Sequence, residues 1–124
     1  MLHISPARSD RGTATAETAV LLPVLVVVLA ACVWVLAGVS AQLACVDAAR
    51  AAARAAARGE APAAVRATAA RFAPAGAVVQ VSARADTVEV RISAEVRPFG
   101  TALRVLPALP VSGRATAATE PGRP

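Results

Sequence analysis

The sequence predicts an α+β protein: a long N-terminal transmembrane helix followed by a short helix and a small antiparallel β-hairpin or sheet. Three observations predict it. No side chain between Glu17 and Asp47 is charged, and a helix needs only about 20 mostly apolar residues to span a bilayer. Past that run the chain becomes alanine-rich and is then punctuated by Gly59 and Pro62, a helix stop followed by a helix start. From Val79 onward apolar and polar residues alternate with the two-residue period of half-buried strands.

Residues 1–12 are polar, carry Arg8, Asp10 and Arg11, and hold the single histidine, His3. Ser5 and Pro6 argue against regular structure there. Residues 13–59 read as the transmembrane and extended helix, starting near Thr13 or Thr15 and running to Arg58. Pro23 falls inside it and is expected to kink or loosen it, because proline removes one backbone donor and crowds the carbonyl four residues earlier. Trp34 lies mid-run, so its indole is expected to face a partner helix rather than water. Ala30, Ala31, Ala37, Gly38, Ser40 and Ala41 are small enough to let such a helix approach closely.

From Asp47 the helix continues with Arg50, Arg54 and Arg58 at every fourth position, one basic stripe with Asp47 a turn before it. The stripe reads either as a solvated face near lipid headgroups or as a surface for acidic partners in an assembly. Residues 60–124 read as a small α+β domain. Pro62 to Phe72 suits a second helix with Val65, Ala69 and Phe72 on one face, closed by Pro74 and Gly76. Val79, Val81 and Ala83 alternate with polar residues, and so do Val88, Val90, Ile92, Ala94 and Val96. That makes two antiparallel strands joined by a tight turn. On the polar side Glu89, Arg91, Glu95 and Arg97 alternate in sign, which suits a solvated sheet face. Pro98 to Pro110 is an irregular apolar connection with Phe99, Leu103, Val105, Leu106 and Leu109, able to cover the sheet or to rest on lipid or a partner. Val111 to Thr119 is able to return as a third strand, and Glu120 to Pro124 is expected to fray.

Composition narrows the function. Hydrophobic residues make up 56% of the 124 but aromatics only 2%, which fills a helix and coats a strand without bulk for a deep core. About 65 residues past Gly59 make a domain whose burial is marginal on its own. All 13 basic residues are arginine and the net charge is +5. The arginines are spread along the chain with almost no aromatics to stack bases, so no nucleic-acid partner is expected. Cys32 and Cys45 are 13 positions apart, a rise of roughly 20 Å in a continuous helix, which excludes a disulfide between them. They read as small packing residues, with Cys45 also placed to cross-link neighbouring subunits.

Catalysis has little material. Lysine and tyrosine are absent, no Gly-rich phosphate loop appears, and no Cys/His cluster has metal spacing. Glu89 and Glu95 share a strand face but stand about 20 Å apart, too far for a carboxylate pair. No enzyme activity, cofactor or metal is expected.

The stretch Arg11-Gly12-Thr13-Ala14-Thr15-Ala16-Glu17, set against the uncharged run, resembles the processing site of type IV prepilins. With Pro23 six residues after Glu17, it is similar more narrowly to the TadE-like family, minor pilins or pseudopilins of Flp-type tight-adherence pili. The resemblance covers about a third of the chain, Arg11 to Val46; Thr18 stands where major Flp pilins usually have an aromatic. It implies a leader, residues 1–12, removed by a prepilin peptidase between Gly12 and Thr13. It implies that Glu17, then fifth in the mature chain, pairs with the new α-amino group of a neighbouring subunit. It implies as partners the peptidase, other pilins, the pilus assembly platform and the lipid bilayer, with the N-terminus cytoplasmic and the C-terminal domain outside. By itself, an acid in a helix's first turn also complements the helix dipole.

Two alternatives stay open. Val39-Ser40-Ala41 has small residues suited to signal peptidase, giving a secreted protein that starts at Gln42, although the run exceeds a usual signal core. An uncleaved signal anchor carrying a small binding module is the other. Charge does not fix orientation, because Arg8 and Arg11 precede the helix while Arg50, Arg54 and Arg58 follow it.

Overall fold

A computed structural model of the chain describes residues 7–98 and 105–119. Helix α1 spans Ala7–Ala57 and α2 spans Pro62–Phe72. Strands β1 (Val78–Ala83), β2 (Thr87–Val96) and β3 (Leu109–Ala118) form one antiparallel sheet in the order β1-β2-β3. The fold is α+β, and it divides into a unit ending at Val35 and a unit beginning at Leu36.

In the first unit, α1 begins six residues before the earlier of its expected starts. The polar segment before Thr13 is therefore helical from Ala7. Extending a formed helix adds one hydrogen bond per residue fixed, and only nucleation is costly. Polarity and charge do not oppose that extension. The helix also continues unbroken through Pro23. Membrane helices tolerate proline because neighbouring helices, Ser/Thr side chains and local adjustments of the backbone re-satisfy the carbonyl it frees. The most apolar 18-residue stretch of the helix has mean hydropathy 3.0 and buries none of itself within the chain. The helix is long and apolar enough to cross a membrane. Trp34 is half-buried, and its Nε1 is shielded without a hydrogen-bond partner among the described residues.

In the second unit, the later part of α1 lies against the inner face of the sheet. Cys45, Ala48, Ala49, Ala52, Ala55 and Ala56 are buried with Val65 and Ala69 of α2 and with Val90, Ile92, Ala94 and Val111 of the sheet. A buried alanine removes only one methyl from water, while Val65, Val90 and Ile92 contribute roughly 1.5–3 kcal/mol each. Alanine's value here is closeness: it lets the helix backbone approach the sheet. Phe72 departs from expectation. It ends α2 and is 55% exposed, whereas Val65 and Ala69 of the same helix are buried.

The end of α1 follows from Gly59. With φ at 80° this residue adopts the left-handed conformation. Gly59 N–H then donates to the Ala56 carbonyl (3.0 Å) and Glu60 N–H to the Ala55 carbonyl (3.3 Å). This is the paired cap that satisfies a helix's last carbonyls. Pro62 then starts α2 in a position where no donor is lost.

The third strand forms and starts two residues before Val111. Leu109 and Pro110 pair with Val96 and Glu95, so the apolar connection is shorter than expected. Within it Val105 is 92% exposed, and Phe99 and Leu103 lie outside the described residues. The tail from Glu120 also lies outside them. On the outer face, Glu89 Oε1 accepts a hydrogen bond from Arg91 (3.3 Å) and forms an ion pair with Arg114 (3.1 Å), and the two arginines face each other across β2 and β3. One carboxylate is shared by two opposed arginines and offsets part of their repulsion. Glu95 and Arg97 stand 3.8 Å apart.

β3 lies alongside α1 in a defined register. A Cβ built on Gly38 would stand 2.9 Å from Leu109 Cδ1, and one on Gly113 would overlap the Cys45 carbonyl. Between these points the Gln42 carboxamide makes two bonds to one residue of the strand. Ser112 N–H donates to Gln42 Oε1 (3.0 Å), and Gln42 Nε2 donates to the Ser112 carbonyl (2.7 Å). Gln42 thus supplies the donor and acceptor that a fourth strand would supply, at an edge otherwise open to pairing. Gln42→Ala is expected to lower stability by about 1 kcal/mol, the net worth of partly exposed hydrogen bonds. Amide exchange at Ser112 should accelerate more than at Val90; equal protection in both chains would disprove the role.

Candidate functional site

The residues singled out by sequence fall into two groups, each read within its own unit. Gly12, Thr13, Glu17 and Pro23 all lie on α1 and are exposed. Thr13, Ala16, Glu17, Val20 and Leu21 line one shallow, almost wholly apolar strip of the helix surface. Their spacing of three and four residues is that of a single helix face. Glu17 is the one acid on it and has no hydrogen bond or ion pair within the chain among the described residues. Nearby, the Thr15 and Thr18 hydroxyls donate to the carbonyls of Arg11 and Ala14, both at 2.9 Å. These hydroxyls are satisfied locally, so the carboxylate is the polar group left facing outward. A built Cβ on Gly12 meets nothing within 4 Å.

In the second unit the basic stripe is not uniform. Arg50 and Arg54 are exposed and have no ion pair among the described residues. Asp47, although one turn away, does not pair with Arg50. Arg58 lies just past α1 and is held by Glu60 through Nη2 (2.6 Å) and Nε (3.1 Å) to the same oxygen. The outward pair is therefore Arg50 and Arg54, beside a small concavity lined also by Ala53, Ala57, Ala115, Thr116 and Ala117.

Cys45 does not fit the cross-linking expectation. It is 0% exposed, beneath β3 where Gly113 approaches, so its thiol is closed to a neighbour, whereas Cys32 is exposed. Both thiols are free. Among the described residues no three His, Cys, Asp or Glu side chains come together as a metal site.

Two residues that matter here, Gln42 and Gly113, carried no role in the sequence reading. Each had a signal: a lone amide inside an apolar run, and a glycine at an inward position of a strand, which often marks close backbone approach.

A family model described as TadE-like protein matches residues 12–54. The chain is also 38% identical over 106 residues to a protein of Mycobacterium tuberculosis (strain ATCC 25618 / H37Rv) named apoptosis inhibitor Rv3655c. The match covers 86% of this chain and 78% of that protein. No solved structure matches.

Proposed function

The chain belongs to the TadE-like family, and on that premise we propose that it is a minor pilin or pseudopilin of a type IV (Flp, tight-adherence) pilus. It is a structural subunit, held in the plasma membrane by α1 until it enters or primes a filament. The observation that carries this reading is Glu17, a carboxylate on an apolar helix face with no hydrogen bond or ion pair among the described residues. An acid drawn into apolar surroundings is costly unless something pairs with it. The partner proposed is the α-amino group of Thr13 on a neighbouring subunit, exposed when a prepilin peptidase removes residues 1–12.

The Gly12–Thr13 bond lies inside α1, so a peptidase must first unwind the helix there. Gly12 eases this, since glycine costs about 1 kcal/mol relative to alanine in a helix. Pro23 sits deeper in the same segment and takes part in packing against other pilins. The N-terminus stays cytoplasmic and the sheet lies outside. Arg50 and Arg54 then face headgroups or acidic surfaces of the assembly, which includes other pilins and the membrane platform.

The deciding experiment is the intact mass of the protein extracted from its native membrane. A chain starting at Thr13 is expected. One starting at Gln42 would mean a secreted domain, and an intact N-terminus would mean a simple anchor; either overturns the proposal.

A further inference from the structure

The hydrogen bonds of β3 show which of its backbone groups face which side. Just past the strand, Thr119 N–H donates to the Asp86 carbonyl (2.9 Å), beside the start of β2. Backbone groups alternate sides along an antiparallel strand. Those of Ala117, Ala115 and Gly113 therefore point to β2, and those of Ser112, Arg114 and Thr116 point away from it. The two bonds between Ser112 and the Gln42 carboxamide agree with that count. β3 stands last in the sheet order. Beyond Ser112, the outward N–H and C=O groups of Arg114 and Thr116 have no strand to pair with among the described residues.

What lies beside this part of β3 is basic. Arg50 and Arg54 line one concavity together with Ala115, Thr116 and Ala117. Both arginines are exposed and have no ion pair among the described residues. Glu60, Glu89 and Glu95 of the same unit pair with other arginines. The spacing fits an extended chain. Helix α1 runs alongside β3, from Gly38 at Leu109 through Gln42 at Ser112. Four residues of helix rise about 6 Å, and two residues of strand advance about 6.6 Å. Side chains on one face of an added strand would fall in step with the two guanidinium groups.

We propose that the β3 edge beyond Gln42 is a docking site for an extended acidic segment of a partner protein. The segment adds as a fourth strand beside Arg114 and Thr116, and two carboxylates two residues apart meet Arg50 and Arg54. Strand addition draws affinity from main-chain hydrogen bonds and specificity from alternate side chains. Gln42 sets where the site begins, because it already occupies Ser112. A lipid headgroup would meet the arginines but not the alternating donors and acceptors of a strand edge. A second copy does not offer the pattern either, since no two of this chain's acids stand two residues apart. The proposal commits the acidic surface named above to one chemistry. It needs only the second unit, so loss of the pilin reading would leave it standing.

The test titrates the full isotope-labelled chain, in neutral detergent micelles, with a short end-capped peptide of valine and threonine carrying two glutamates separated by one valine. An isomer with the glutamates adjacent has the same charge but puts the two acids on opposite faces of a strand. The amides of Arg114 and Thr116 are expected to gain exchange protection severalfold. Those of Val90, inside the sheet, and Val81, on the opposite edge strand, should not change. Arg50→Gln combined with Arg54→Gln should weaken binding about tenfold, as expected for two partly exposed ion pairs, and leave protection at Val90 intact. The isomer should bind severalfold more weakly than the first peptide. Binding without protection at Arg114 and Thr116, or equal binding of the two isomers, would mean simple charge attraction and overturn the proposal. Protection already present before peptide is added would mean that the chain itself or a second copy covers the edge, and would also overturn it. If the arginine side chains respond to added phosphatidylglycerol and not to the peptide, they form a headgroup site and the proposal is wrong.

Discussion

Gly113→Ala is expected to destabilise the second unit by about 3 kcal/mol, the upper end of the range for overpacking a tight core. The added Cβ would overlap the Cys45 carbonyl oxygen and stand 2.7 Å from the Val46 nitrogen. These are backbone atoms in mid-helix and cannot rotate away as a side-chain tip can. Nor can α1 slide along the strand to relieve the overlap, because Gln42 is bonded to Ser112 only three residues earlier. Gly38→Ala is the informative contrast. Its Cβ meets the end of a flexible leucine, Leu109 Cδ1, and the helix gains about 1 kcal/mol of propensity, so the two effects nearly offset. Amide exchange at Val90 and Ile92 in detergent micelles reads the difference. Protection should fall about a hundredfold for Gly113→Ala, at about 1.4 kcal/mol per factor of ten, and scarcely change for Gly38→Ala. Equal protection in the two variants would show that the close approach contributes nothing.

Glu17→Ala is expected to leave processing intact and to exclude the subunit from filaments. The change removes the carboxylate but neither Gly12 nor the helix, and Glu17 supports no hydrogen bond or ion pair within the chain among the described residues. Its loss should not alter the fold. In an assembly, removing one member of a desolvated charge pair costs about 2–5 kcal/mol, enough to lower incorporation by more than about tenfold. Comparing the mature mass with the amount recovered in sheared filaments separates the two steps. Normal processing together with normal incorporation would remove the pairing role. Restored incorporation with Glu17→Asp would show that the charge, rather than the packed volume, is what the neighbour recognises.

Periodicity alone located the elements. Val65 and Ala69 one helical turn apart, and the alternation through Val90, Ile92 and Ala94, are local patterns, and the residues they mark are buried as expected. Third-strand pairing was open in sequence because Val111 to Thr119 has small residues on both faces and no turn residue sets its register. The start of α1 was misplaced because polarity does not oppose helix extension. Helical spacing put Phe72 on the face of Val65 and Ala69 but did not reveal that the last residue of α2 stays exposed.

By itself the sequence determined that there is one uncharged helix long enough for a bilayer, with Glu17 at its edge, and the strands that follow it. Chain-local pattern suffices for that, since burial in lipid or on one sheet face leaves a period of its own. Only the tertiary structure decided how the surplus of the uncharged run is used. Past Leu36 the helix becomes one wall of the domain, with alanines closing the distance, Gly113 admitting the backbone and Gln42 completing the edge of β3. Those three roles depend on residues about seventy positions apart meeting in space, and no local pattern records such a meeting.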